Sequence, residues 1–158
     1  SVAGFSVESA FYTYLFILNG AFFCYLVARY LRDYYSPKQV WITVLILGFA
    51  TTWWPYTKLD YSEPLVLTIV FWGFLYVRSN RPALGIAIAS ASILIRQDAL
   101  ILVGMLGLWY LWRTRRLADV PKMVAAGVPA AVVHFAGHYL IFGSFAALFG
   151  LIVIARRK

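Results

Sequence analysis

The chain has 158 residues, 63% of them hydrophobic and only 13% charged, with fourteen Lys and Arg against six Asp and Glu. Soluble domains are about 45–50% apolar and about 25% charged, so a single water-soluble core is excluded, whereas a bilayer can act as solvent for the surplus. The net charge of +8 lies in clusters and not in a stripe along one face, which argues against nucleic acid and fits anionic lipid headgroups.

Residues Ser1 to Ser9 carry neither an initiator Met nor a basic n-region, so they do not read as a signal peptide. The chain is expected to begin partway through a longer protein. Seven apolar segments follow: Phe11 to Ala28, Gln39 to Trp54, Pro64 to Val77, Ala83 to Ile95, Ala99 to Trp112, Pro121 to Leu140 and Gly143 to Ala155. About 20 residues cross the hydrocarbon core, so some of these span and others are short or partial. The expected fold is all-α, a multi-pass transmembrane helical bundle forming one domain over residues 1–158. Cys24 lies inside the first segment as the single cysteine, which leaves no disulfide and no cysteine metal cluster.

The basic residues give the bundle a direction. Arg29, Arg32 and Lys38 share one gap between segments, and Arg78 and Arg81 share another. Arg113, Arg115, Arg116 and Lys122 fill a third, and Arg156, Arg157 and Lys158 close the chain. Only Lys58 and Arg96 fall outside this set, and the acids Glu8, Asp60, Glu63 and Asp98 occupy the alternate gaps. Loops rich in Lys and Arg stay cytoplasmic. The pattern predicts a plasma-membrane protein whose N-terminus lies outside the cytoplasm.

Segments four and five admit two readings. As one helix of about 30 residues they would run about 45 Å, with Arg96 and Asp98 near the middle and Arg81 and Arg113 on opposite sides. As two short helices meeting at Arg96-Gln97-Asp98 they keep the alternation of charge and bring the charges toward the outer face. The second reading is adopted. Trp53, Trp54, Tyr56 and Tyr61 would sit at the outer interface, and Tyr30, Tyr34 and Tyr35 at the inner one, where amphipathic rings favour the headgroup level. Small residues from Gly85 to Ser92 make a narrow face that a neighbouring helix can approach closely.

Two polar patches stand out. Tyr56-Thr-Lys-Leu-Asp-Tyr-Ser-Glu63 lies between the second and third segments, and Ser62-Glu63-Pro64 reads as a cap followed by Pro in a first helical turn. Glu63 there is either a favourable charge at a helix N-terminus or, with Lys58 and Asp60, part of a site open to the outer face. Arg96-Gln97-Asp98 is the second patch. Asp98 either caps the fifth helix and pairs with Arg96, or joins it in a functional site, the default for charges this deep in a membrane segment. The Arg fork suits phosphate because it makes paired hydrogen bonds. His134 and His138 are four apart and share a helix face; packing or cavity lining explains them better than zinc, since no Glu follows His134. A glycine-rich phosphate loop and a nucleophile elbow are both absent from the sequence.

Ala50-Thr-Thr-Trp-Trp-Pro-Tyr-Thr-Lys-Leu-Asp-Tyr-Ser-Glu-Pro-Leu65 resembles a segment of polytopic membrane glycosyltransferases of the GT-C superfamily. Ile95-Arg-Gln-Asp-Ala-Leu100 resembles their Thr/Ile-Arg-x-Asp-Ala/Gly-Leu stretch, and His138-Tyr-Leu-Ile-Phe-Gly143 their later Asn/His-Tyr-x-x-Phe-Gly piece. Each motif alone is weak, but three in order cover roughly residues 26–143. The resemblance implies transfer of a sugar from a polyprenyl-phosphate donor to a lipid, glycan or protein acceptor on the extracytoplasmic face, generally without a nucleotide-sugar donor; no cofactor is expected, and metal dependence is left open. It implies that Lys58 and Arg96 contact the lipid phosphate and that Asp60 and Glu63 approach sugar or acceptor hydroxyls. Tyr56, Asp98 and His138 complete the candidate substrate-binding set. The family's catalytic acid has no convincing match in this chain and is expected upstream of Ser1. The rivals are a transporter or lipid flippase with a polar site at Arg96 and Asp98, and a non-catalytic membrane subunit.

Overall fold

The computed structural model describes residues 7–50 and 62–142. These residues are all-helical. In chain order the helices are α1 (Val7–Leu31), α2 (Pro37–Leu45), α3 (Ser62–Arg78), α4 (Pro82–Ser90), α5 (Ala99–Thr114) and α6 (Val120–Phe142). The first, second, third, fifth and sixth apolar segments fall on α1, α2, α3, α5 and α6. The seventh, Gly143 to Ala155, lies outside the described residues, as do Trp53, Trp54, Tyr56, Lys58, Asp60 and Tyr61.

The turns follow local chemistry. The backbone N–H of Ser36 donates to Gln39 Oε1 at 3.0 Å, and Pro37 opens α2 where its missing N–H costs nothing. Beyond Leu45 the chain widens into one π-type turn, Ile46–Ala50. After α3, Asn80 takes a left-handed conformation at φ 58°, a position that Asn tolerates, and Pro82 starts α4. Arg115 adopts the left-handed cap of α5 at φ 57°.

The fourth segment departs from the expected uniform helix. After Ser90 the chain tightens into a 3₁₀ turn, Ala91–Leu94, where the Ser92 hydroxyl donates to the Ala89 carbonyl at 2.6 Å. Such local hydroxyl bonds compete with the α-helical ladder. The chain then breaks at Arg96-Gln97-Asp98 before α5 begins, so no continuous helix runs through Arg96.

The central element is α4, which packs against α3, α5 and α6; α1 lies against α3, and α2 against α1. Small residues explain the central position. A Cβ placed on Gly73 would lie 2.5 Å from the Gly85 carbonyl oxygen, and one on Gly85 would lie 2.6 Å from the Gly73 carbonyl oxygen. The two backbones meet where neither has a side chain. Around this crossing Val77, Ile86, Ala89, Ile93, Val103, Leu106, Tyr110 and Met123 form the buried core.

Among the described residues, two helices are long and apolar enough to cross a membrane, with candidate spans Tyr14–Leu31 and Leu117–Ile141. The burial in their windows is only 28% and 0%, so their apolar surface is turned outward. The seven-segment bundle is thus seen only in this coarser form. At nine residues, α2 and α4 are too short to span alone, and α3 and α5 reach 17 and 16 residues.

Candidate functional site

Two regions 33 positions apart in sequence meet at Arg96. Glu63 stands in the first turn of α3, immediately before Pro64, which the sequence placed at a helix start. Arg96 lies at the break between the 3₁₀ turn and α5, and Asp98 occupies the N-cap position of α5. The Asp98 side chain makes no hydrogen bond to the helix end. It is taken by Arg96 instead.

The guanidinium forms a fork on that carboxylate: Nε donates to Oδ1 at 3.0 Å and Nη2 to Oδ2 at 2.8 Å. On its other side Nη1 donates to Glu63 Oε1. Two carboxylates therefore share one cation, and among the described residues two of its five N–H groups are left over. The side chains remain accessible, at 36% for Arg96, 54% for Glu63 and 57% for Asp98. The paired hydrogen bonds from Arg96 hold the Asp98 carboxyl below the ordinary aspartate range, and both carboxylates push the guanidinium pKa up.

Taken alone, this triad carries one excess negative charge. It can donate hydrogen bonds to, and accept them from, a neutral polyhydroxylated ligand. A phosphate arriving at Arg96 would have to displace a carboxylate or bring a second cation. By sequence the nearest such cation is Lys58, five residues before Glu63.

The candidate residues therefore divide. Glu63, Arg96 and Asp98 are brought into one cluster. Tyr56, Lys58 and Asp60 lie outside the described residues. His138 is on α6, half-buried, with its ring centroid 4.7 Å from that of His134, and it is not a partner of Arg96. Among the described residues no three His, Cys, Asp or Glu side chains are grouped to hold a metal ion.

A second polar cluster, at the opposite end of α3, was not anticipated as a site. Arg78 Nη1 donates to Asp33 Oδ2 at 2.8 Å and Nη2 to the Tyr34 hydroxyl at 2.9 Å. Its guanidinium also lies 5.1 Å from the ring centres of both Tyr30 and Tyr34. The signal in the sequence was the grouping of Arg29, Arg32, Arg78 and Arg81 in two gaps of the same sign, read there only as topology. No protein-family model, no curated protein and no solved structure matches the chain.

Proposed function

We propose that the chain is part of a membrane glycosyltransferase that takes a sugar from a polyprenyl-phosphate donor and works at the extracytoplasmic end of α3. The observation that carries this reading is the meeting of Glu63 with Arg96. The Ser62-Glu-Pro-Leu65 and Ile95-Arg-Gln-Asp-Ala-Leu100 motifs, read separately as pieces of such an enzyme, converge on one accessible polar cluster. The outward-turned apolar surfaces of α1 and α6 support placement in a bilayer.

Within this reading, Arg96 and Lys58 neutralise the donor phosphate, and Glu63 and Asp98 accept hydrogen bonds from sugar or acceptor hydroxyls. Transfer is a single displacement. The acceptor oxygen bonds to the anomeric carbon as the bond from that carbon to the phosphate oxygen breaks. The electron pair departs with the phosphate, and the acceptor proton passes to a carboxylate. Cations at the leaving group stabilise the charge that develops there. No carboxylate in the triad is assigned as that base.

One observation favours a second reading. Among the described residues, all three side-chain hydrogen bonds of Arg96 already go to carboxylates, as expected of a cation that serves to neutralise Asp98 and Glu63. The double replacement Arg96→Ala/Asp98→Ala separates the two. It removes the fork and its main partner together, leaving only the exposed Glu63. If Arg96 serves only to neutralise Asp98, membranes carrying the double variant should transfer sugar from a polyprenyl-phosphate donor as well as wild type, because neither charge of that pair is then left alone. If Arg96 binds phosphate, the variant should accumulate normally and fail to transfer. Recovery of transfer would refute the phosphate-binding role.

A further inference from the structure

The α1–α3 end of the bundle encloses a second cleft, of about 490 Å³, lined on its polar side by Arg29, Asp33, Arg78 and Arg81. Three guanidinium groups face one carboxylate. Asp33 is already spent on Arg78, which Tyr30 and Tyr34 also hold from its two ring contacts. Arg29 and Arg81 have no ion-pair partner among the described residues, and both are exposed. The cleft thus keeps a positive surplus that the fold does not consume. Trp72 and Leu75 add a stretch of apolar wall to this mainly polar cleft.

We propose that this cleft binds a phosphate ester, with Arg29 and Arg81 as its direct donors and Arg78 as the fixed wall between them. The chemistry follows from the donors. Guanidinium forks match phosphate oxygens bidentately, and basic pockets between membrane helices take anionic headgroups. The apolar wall suits the first carbons of an acyl chain. The phosphate therefore comes from an anionic glycerophospholipid or from a soluble phosphate ester. The inference does not rest on the transferase reading, since the cleft lies at the far end of α3 from Glu63.

The test uses the protein purified in detergent and native mass spectrometry to count retained lipid. The probes are dioleoylphosphatidylglycerol, dioleoylglycerol as the phosphate-free match, and glycerol 3-phosphate as competitor. Wild type should retain phosphatidylglycerol over dioleoylglycerol. Arg29→Gln/Arg81→Gln should weaken that retention by about tenfold or more, as loss of charge-assisted bonds predicts. Both positions are exposed, and helix content by circular dichroism checks the fold. Asp33→Asn removes the competing carboxylate and should tighten retention several-fold, a gain that misfolding does not produce. Displacement by glycerol 3-phosphate at matched concentration identifies a soluble ester as the ligand; resistance to it identifies the lipid. Equal retention of the two lipids would overturn the proposal. So would wild-type retention in the double arginine variant, or unchanged or weaker retention in Asp33→Asn.

Discussion

The two ends of α3 carry the same residue type in opposite settings. At one end Arg96 serves two carboxylates, and the cluster is left net negative. At the other Arg78 serves one carboxylate and two tyrosine rings, while Arg29 and Arg81 have no ion-pair partner among the described residues and the cluster is left net positive. An arginine beside an aspartate is thus not a function in itself. What decides the chemistry is the charge left over after the internal pairs are made, and that surplus has opposite sign at the two ends.

The strongest way to break this comparison is to ask whether the two ends face opposite sides of a membrane. Single cysteines at positions 58 and 115 in a Cys24→Ala background should give an all-or-none result in intact cells. A membrane-impermeant thiol reagent should label position 58 and leave position 115 untouched. Labelling of 115 alone, or of both, would reverse or dissolve the proposed orientation.

Next in size is the response of the net-negative end. Arg96→Ala should lower sugar transfer on the order of 100-fold, the cost of losing a donor at developing charge. Arg96→Lys should fall between, because it keeps the charge and loses the fork. Initial rates with a polyprenyl-phosphate sugar measure both, and equal rates for Lys and Arg would remove the fork from the argument.

The crossing of α3 and α4 holds the two ends in register, so damage there should reach both. Gly85→Ala drives a Cβ onto the Gly73 carbonyl and the Val77 backbone, and a clash with backbone cannot be relieved by a rotamer. The expected loss is about 1–3 kcal/mol, as for other overpacked sites, seen as a lower unfolding midpoint in detergent. Gly104→Ala is the control, because nothing lies within 4 Å of its added Cβ. Its midpoint should equal or exceed that of wild type.

The smallest effect sharpens the charge comparison itself. The Asp98 pKa is depressed in the folded state by Arg96. Its contribution is therefore present at neutral pH, above the unfolded value, and is lost as pH falls through the folded value, below about pH 4. Asp98→Asn should flatten this acid limb of the unfolding midpoint. The pair is solvent-accessible, so the change should be modest and should shrink in high salt.

Some of this architecture was open to a reading of residues alone. Hydrophobic runs placed α1, α3, α5 and α6 within a few residues at both ends, and the start of α2, because spans and buried faces must be apolar whatever their neighbours. The Arg96-Gln97-Asp98 break was legible because an uncompensated charge in an apolar run is costly. The narrow face of α4 was legible from Gly85 onward, since small residues permit close approach. The pairing of Arg96 with Asp98 was one of two readings the sequence left open, and the structure shows the pair without the cap that went with it.

Other features required the packed chain. Sequence put Glu63 and Arg96 toward the same side; only the packing of α3 against α4 and the following turn made them direct partners. The Asp33–Arg78 pair joins residues 45 apart, and the cleft beside it depends on α1 lying against α3. Helix periodicity fixes which side chains share a face of one helix, but not which face meets which neighbour. Composition and pattern thus determined the helices and their apolar surfaces. The sign of the surplus charge at each end was decided by tertiary packing, because it depends on which ions find a partner across helices and which do not.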